Sequence, residues 1–158
     1  MLTGGSAATI YAPEVYSSLD ADFILLDATE RSDLRAALAD AGFTPSAMHG
    51  MFEHPNTQFT IDFPRGPLAV GGDYVRHFAT LERGAMRLRI LTPFDSVRDR
   101  LAHFYHWNDY TALKAAVGVA RRHRDQIDVQ KLQEWTEREG DNPGSQIPKF
   151  REFLRRLG

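Results

Sequence analysis

Three aspartates lie in positions from which they could bind a divalent cation. Asp20 and Asp22 are two residues apart in SSLDADFILLD, a stretch that is otherwise largely apolar. Side chains of a β-strand alternate between its two faces, so both carboxylates are predicted to point the same way. Two carboxylates side by side in a partly buried sheet repel each other, and a bound cation removes that repulsion. The spacing therefore predicts a cation site.

A third carboxylate is expected to join this pair. Asp62 lies in FTIDF, where apolar and polar residues alternate as they do in a strand. If that strand lies beside the one that carries Asp20 and Asp22, the three carboxylates meet. Mg²⁺ prefers oxygen ligands, usually one or two carboxylates with waters and substrate phosphates, and Mn²⁺ can substitute for it. Such a cluster can hold two ions about 3.5–4 Å apart, with Asp62 binding the second ion or acting as a base.

A glycine turn near the N-terminus is suited to phosphate binding. Gly4 and Gly5 have no Cβ, so a phosphate can approach their backbone closely, and Ser6 adds a hydroxyl donor. A short helix is predicted over residues 6–12, before Pro13. Its N-terminus would aim free N–H groups and a positive dipole end at the anion. The turn and the aspartates together predict a site for a metal-bound triphosphate.

The elements that position these groups predict an α+β fold. Residues 1–92 are predicted to form an α/β core, a mixed β-sheet with flanking helices. Residues 93–158 follow a period near 3.6 and are predicted to form a helical C-terminal subdomain packed on that core. The predicted elements of the core are a strand over 19–26, a helix over 29–41 with Ser32 as its cap and Gly42 as its stop, strands over 48–53 and 57–63 joined as a hairpin, a loop over 64–73, and a second hairpin of strands 75–81 and 86–91 around residues 82–84. The predicted helices of the second part are one with Val97, Leu101, Phe104 and Tyr105 on one face, and three over 109–120, 129–138 and 148–157.

The composition narrows the class of protein. The chain has 158 residues, enough for one domain with a single core, and a net charge of −2 that gives no overall attraction to nucleic acid or anionic membranes. It has no cysteine, which excludes disulfides, thiolate metal sites and cysteine nucleophiles and suits the cytoplasm. Neither a membrane-spanning segment nor a signal peptide is expected.

The motifs together resemble those of a known superfamily. GGSAATIY, SSLDADF and FTIDF resemble, in that order, the motifs of the nucleotidyltransferase, or polymerase-beta-like, fold. The closer likeness is to small bacterial nucleotidyltransferase-like proteins related to the AbiEii toxin group. The resemblance implies a nucleotidyltransferase-type sheet, with Gly5 and Ser6 on the phosphate motif, Asp20 and Asp22 as the metal pair and Asp62 as the third acid.

The resemblance extends to the helical part and to the start of the chain. In the relatives, a helix with a basic residue precedes an Arg/Lys–Asp element, and here VRDRLAHFYHWND offers Arg98, Arg100 and Asp109. The resemblance implies that Arg98 or Arg100 neutralises the leaving group, and arginine clamps phosphate in place of the lysine that relatives often use. Relatives usually have a helix and strand residues before the glycine motif. The N-terminal edge is therefore expected to be short here, or the true start to lie upstream.

The expected function is Mg²⁺-dependent transfer of a nucleoside monophosphate from an NTP to an acceptor. The acceptor stays open among RNA, a protein hydroxyl and a small molecule. The likeness to toxins points to tRNA as acceptor and to a cognate antitoxin as partner, by fold-level analogy. The alternative is a catalytically inactive protein of the same fold that serves as a nucleotide-binding or protein-interaction module.

Other polar and aromatic groups have two interpretations each. His103 and His106 are three residues apart on a predicted helix, a spacing that suits metal ligands, but without a third ligand packed or solvated histidines are favoured. Tyr105 and Trp107 are typical of a core, although either could stack a nucleobase if it lay near a cleft. The basic segments 121–124 and 151–156 are typical of a solvated helix surface, with a tRNA or other polyanion site as the alternative.

Overall fold

The computed structural model describes residues 1–26, 31–48, 50–64, 66 and 68–158, which form an α+β chain as the sequence predicts. Six α-helices lie in this part: α1 (Gly4–Tyr11), α2 (Arg31–Asp40), α3 (Pro93–Trp107), α4 (Tyr110–Arg122), α5 (Val129–Arg138) and α6 (Ile147–Leu157). Eight short strands lie in it: β1 (Asp20–Asp22), β2 (Thr44–Pro45), β3 (Met51–Glu53), β4 (Thr60–Asp62), β5 (Ala69–Val70), β6 (Asp73–Tyr74), β7 (Ala79–Arg83) and β8 (Met86–Ile90). A 3₁₀ turn, Arg124–Gln126, follows α4.

The main sheet has four strands in the order β1-β4-β3-β2. β1 pairs with β4 in parallel, whereas β3 pairs with both β4 and β2 in antiparallel fashion. β3 and β4 form the first predicted hairpin, in which Phe52 faces Ile61 across the strands. The register of the parallel pair β1 and β4 determines which side chains of the two strands lie next to each other, and it positions the aspartates.

The N-terminal residues join this sheet to the β7–β8 hairpin. Leu2 forms single bridges to Phe23 on one side and to Ile90 on the other. The N–H of Leu2 donates to the carbonyl of Arg89 at 2.8 Å, and the N–H of Thr3 donates to the carbonyl of Asp22 at 2.9 Å. The glycine turn thus begins directly beside the strand that carries the paired aspartates.

One buried core spans the α/β part and the helices. α3 and α4 pack against each other and against α1, and α6 closes the other side of α4. Each fully buried Leu, Val or Phe in this core contributes about 1.5–3 kcal/mol. The fully buried side chains include Ala7, Ala8, Ile90, Val97, Leu101, Leu113, Val119, Leu132 and Phe153.

Local capping sets the ends of the central helices. Thr92 accepts a hydrogen bond from the N–H of Asp95, and Pro93 occupies the first turn of α3. Asn108, in the left-handed conformation with φ 53°, ends α3. Asp109 then caps α4 by accepting from the N–H groups of Thr111 and Ala112. α3 therefore meets α4 at a tight, well-bonded corner.

No helix in the described ranges is long and apolar enough to cross a membrane.

The helical pattern after residue 92 predicted the elements closely, whereas the strand predictions were too long. The strand predicted over 19–26 is three residues long, because past Asp22 the chain makes only a single bridge, from Phe23 to Leu2. The loop predicted over 64–73 contains β5 and the start of β6. The turn of the second hairpin lies at residues 84–85 rather than 82–84.

Helix starts were also displaced. α1 begins at Gly4 instead of Ser6, so the glycines belong to its first turn. Ser32 lies inside α2 and does not cap it, whereas Gly42, at φ 87°, follows the helix as predicted. The predicted start of that helix at Thr29 lies outside the described residues.

Candidate functional site

The register of the parallel strands brings two aspartates to adjacent positions. Asp22 on β1 is paired with Asp62 on β4, and Asp20 is paired with Thr60. Paired residues of neighbouring strands point to the same face and lie about 4.8 Å apart. Asp20, Asp22 and Asp62 therefore share one face of the sheet, and we call these three residues the carboxylate site.

Mutual repulsion and burial act on this group. The pKa of Asp22 is raised from 3.8 to about 6, first by burial and then by the negative charges of Asp20 and Asp62. The positive charge of Arg100 opposes this rise, and Asp99 adds to it. Asp22 is consequently ionised at neutral pH at a cost in free energy, which a cation beside it would offset.

The hydrogen bonds of the carboxylate site are local. Asp20 accepts a short hydrogen bond from the hydroxyl of Ser18. Asp62 accepts from the backbone N–H of Phe63 at 2.7 Å. Within the described residues, none of the three carboxylates forms an ion pair with Arg, Lys or His. The negative charge of the site is therefore not neutralised by side-chain contacts.

The predicted three-ligand cluster is not preformed. No group of three His, Cys, Asp or Glu side chains is arranged to hold a metal ion in the described ranges. The donor set nevertheless fits Mg²⁺, because its oxygens are hard ligands and the half-buried charge of Asp22 is destabilised by its neighbours. One or two carboxylates with waters and phosphates complete a typical Mg²⁺ shell.

The glycine turn lies against Asp22. Gly4 has φ 62°, in the left-handed region that favours glycine, and a Cβ there would collide with Oδ2 of Asp22. The first N–H groups of a helix have no acceptor inside it, and the side chain of Thr3 does not cap α1. The Ser6 hydroxyl donates to the carbonyl of Thr3 at 3.1 Å. N–H groups of the turn are thus placed next to the carboxylates.

The two predicted arginines have different surroundings. Arg98 is buried, and its guanidinium donates to Asp95 at 2.9 Å and to Asp73 at 3.0 Å. These carboxylates neutralise it, which argues against the phosphate contact predicted for Arg98. Arg100 is also buried and donates twice to Asp99, at 2.9 and 2.7 Å. Only Arg100 of the two is among the charges that shift the pKa of Asp22.

Some residues of this region were not found from the sequence. Asp99 forms an ion pair with Arg100, and its negative charge acts on Asp22. The hydroxyl of Ser18 donates a hydrogen bond to Asp20. The run SSLD placed a hydroxyl two residues before an aspartate and could have indicated the second contact. Asp99 gives no such signal, because its position depends on how α3 packs against α1.

The contacts of three further candidate residues lie outside the carboxylate site. His106 pairs with the buried Glu139 at 2.9 Å instead of joining His103 in a metal site. Tyr105 is buried and bonds Thr136, as a core residue does. Asp109 caps α4, so it serves the helix rather than the carboxylates.

Two of the cavities lined by described residues differ in the chemistry of their lining. One of about 600 Å³ is lined in part by Gly50, Met51 and Phe63 and so begins beside Asp62. The other, of about 680 Å³, has an apolar floor that includes Val15 and Val117. We call this second cavity the basic groove, because its rim carries Lys114, Arg121, Arg122 and Arg156.

Comparison with known proteins gives no relative from which to transfer a function. No protein-family model, no curated protein and no solved structure matches the chain.

Proposed function

We propose that the protein is a Mg²⁺-dependent nucleotidyltransferase of the polymerase-beta-like type. The observation that carries the proposal is the register of β1 and β4, which pairs Asp22 with Asp62 and places Asp20 on the same face. The uncapped N-terminus of α1 lies against this face, so phosphate-binding N–H groups and metal-binding carboxylates adjoin. This combination suits a nucleoside triphosphate better than a small neutral ligand.

The residues have distinct roles in the proposed reaction. Asp20 and Asp22 would hold Mg²⁺, which when bound neutralises phosphate charge and lowers the pKa of the attacking hydroxyl. Gly4, Gly5 and Ser6 bind the β- and γ-phosphates through their N–H groups and the serine hydroxyl.

The chemical step is an in-line displacement at the α-phosphorus. The acceptor oxygen forms a bond to that phosphorus while the bond to the bridging oxygen of pyrophosphate breaks. Asp62 accepts the proton of the acceptor hydroxyl, and the cavity of about 600 Å³ beside Asp62 admits the acceptor. The positive charge of Arg100 acts on Asp22, and Arg100 stabilises the leaving pyrophosphate once it exchanges Asp99 for phosphate.

A second candidate function rests on the basic groove. Its four cationic side chains surround an apolar floor. Among the described lining residues, Glu14 is the only acid. A catalytically inactive protein of this fold could use that surface to bind an acidic partner, such as an antitoxin. The ionised carboxylate of Asp22 destabilises the folded protein, and an inactive protein would gain nothing from keeping it. This observation favours the enzyme over the inactive protein.

Thermal denaturation with nucleotides tests the proposed function. Each of the four NTPs is added in turn with Mg²⁺. A ligand at one hundred times its Kd stabilises the folded state by about 2.7 kcal/mol. The NTP that binds best is therefore expected to raise the melting temperature by about 5 to 10 °C. Neither Mg²⁺ nor NTP alone should do so. Asp40→Asn, an exposed acid at the end of α2, is the matched control and should respond like the wild type. Unchanged melting with all four NTPs and Mg²⁺ would support the inactive protein.

A further inference from the structure

Three rings form a cluster at the C-terminal end of α3. Trp107 lies 4.8 Å from His103 and 5.8 Å from His106, measured between ring centroids. Trp107 is nevertheless 68% exposed, so it is not one of the core residues, although the sequence pattern is typical of a core. We call His103, His106 and Trp107 the aromatic shelf.

The aromatic shelf shares a helix face with the charges that act on the carboxylate site. Arg100, His103 and Trp107 are three and four residues apart, so they lie on one face of α3. Arg100 and Asp99 both act electrostatically on Asp22. Trp107 follows Arg100 by seven residues, or about 10 Å along the helix axis. The exposed ring is thus two turns away from Arg100, whose charge acts on Asp22 of the carboxylate site.

The shelf is held in place and has hydrogen-bonding capacity to spare. α3 ends directly after Trp107, where Asn108 and the cap at Asp109 fix the turn into α4. His106 is anchored by Glu139. His103 is half-buried, yet its ring nitrogens have no hydrogen-bond partner among the described residues. Burial and the charge of Arg100 lower its pKa, so His103 is neutral at pH 7 and offers one donor and one acceptor.

We propose that Trp107 stacks on the base of the nucleotide and that His103 bonds the edge of that base, so that the aromatic shelf is the nucleobase subsite. This inference rests on the proposed function, because it assigns the base of the same NTP whose phosphates reach the carboxylate site. Every nucleobase has a π face, so stacking alone gives affinity with little preference among bases. His103 then provides the discrimination among bases.

Calorimetric titration with two ligands separates this inference from the proposed function. The first probe is the best-binding NTP with Mg²⁺, and the second is inorganic triphosphate with Mg²⁺, which has no base. Trp107→Ala is expected to weaken NTP binding about tenfold and to leave triphosphate binding unchanged. Trp107→Phe should retain most of the NTP affinity, because it keeps a ring at this position.

Tyr110→Ala is the matched control. Tyr110 is 57% exposed and lies three residues after Trp107, but its ring contacts Phe104 and the guanidinium of Arg156 instead of the aromatic shelf. Equal NTP affinity in Trp107→Ala and the wild type would overturn the inference alone. Wild-type protein that binds neither NTP nor triphosphate would overturn the proposed function and the inference with it. Equal loss of both ligands in Trp107→Ala would also contradict a base-specific role.

Discussion

Asp22→Asn is expected to abolish nucleotidyl transfer while making the folded protein more stable at alkaline pH. Asparagine has nearly the same shape but no charge, so it removes a metal ligand and the repulsion from Asp20 and Asp62 together. Loss of such a charge-stabilising group lowers transfer by about a thousandfold. Incorporation of label from α-³²P-NTP into cell-extract acceptors measures this loss.

The direction of the stability change follows from the pKa of Asp22. Folding raises this pKa from 3.8 to about 6. The folded state therefore binds the proton more tightly, which gives stability that is fully present below pH 3.8 and is lost as the pH rises through about 6. Because Asp22 is only half-buried and solvent screens part of the repulsion, the cost above that pH is about 1 to 2 kcal/mol. Asp22→Asn escapes this cost.

Thermal unfolding of both proteins across pH tests this expectation. At pH 8, without metal, the melting temperature of Asp22→Asn should exceed that of the wild type by about 2 to 8 °C. At pH 4 the two should nearly coincide, because Asp22 is then protonated in the folded wild type. A variant that is less stable at pH 8 would show that the Asp22 carboxylate is held by favourable contacts instead of being strained.

Arg98→Met is expected to destabilise the fold strongly without a specific effect on nucleotide binding. The buried guanidinium bonds Asp95 and Asp73 and lies 5.0 Å over the ring of Trp135. Methionine fills part of the space but leaves Asp95 buried without its cation. Breaking a buried pair in this way costs about 3–5 kcal/mol. The melting temperature should fall by about 6 to 15 °C.

A double variant distinguishes a structural Arg98 from a phosphate ligand. In Asp95→Asn with Arg98→Met both charges are gone, so much of the lost stability should return. NTP affinity, measured where each variant is folded, should stay within about twofold of the wild type. A phosphate ligand would instead show lost NTP affinity in both variants, with little change in melting temperature.

The sequence predicted the pieces of the site better than their final contacts. Strand alternation in FTIDF predicted the face on which Asp62 lies. The adjacency of its strand to the one with Asp20 and Asp22 was only a condition of that prediction, and the pairing of β1 with β4 meets it. Strand lengths failed because pairing partners are non-local. Nothing in the residues around Asp22 shows that the regular ladder ends there and that Phe23 forms a single bridge with Leu2.

The arginines show what a one-dimensional pattern cannot settle. Arg98 and Arg100 were equivalent candidates in VRDRL, two residues apart on a predicted helix. Their roles separate only after α3 packs, because Asp73 reaches Arg98 from the β5–β6 hairpin, which the sequence pattern predicted as loop. Arg100 binds Asp99, and its positive charge acts on Asp22. Tertiary contacts, not local propensity, distinguish them.

Direct measurement of bound Mn²⁺ by electron paramagnetic resonance tests the whole account at its base. The free-ion signal of Mn²⁺ is titrated with protein at pH 8, with and without NTP. We predict that wild-type protein with NTP removes at least one equivalent of Mn²⁺ from solution, and that Asp22→Asn removes far less at the same concentrations. Equal Mn²⁺ binding by the two proteins, or none by either, would contradict the claim that these aspartates bind a divalent ion.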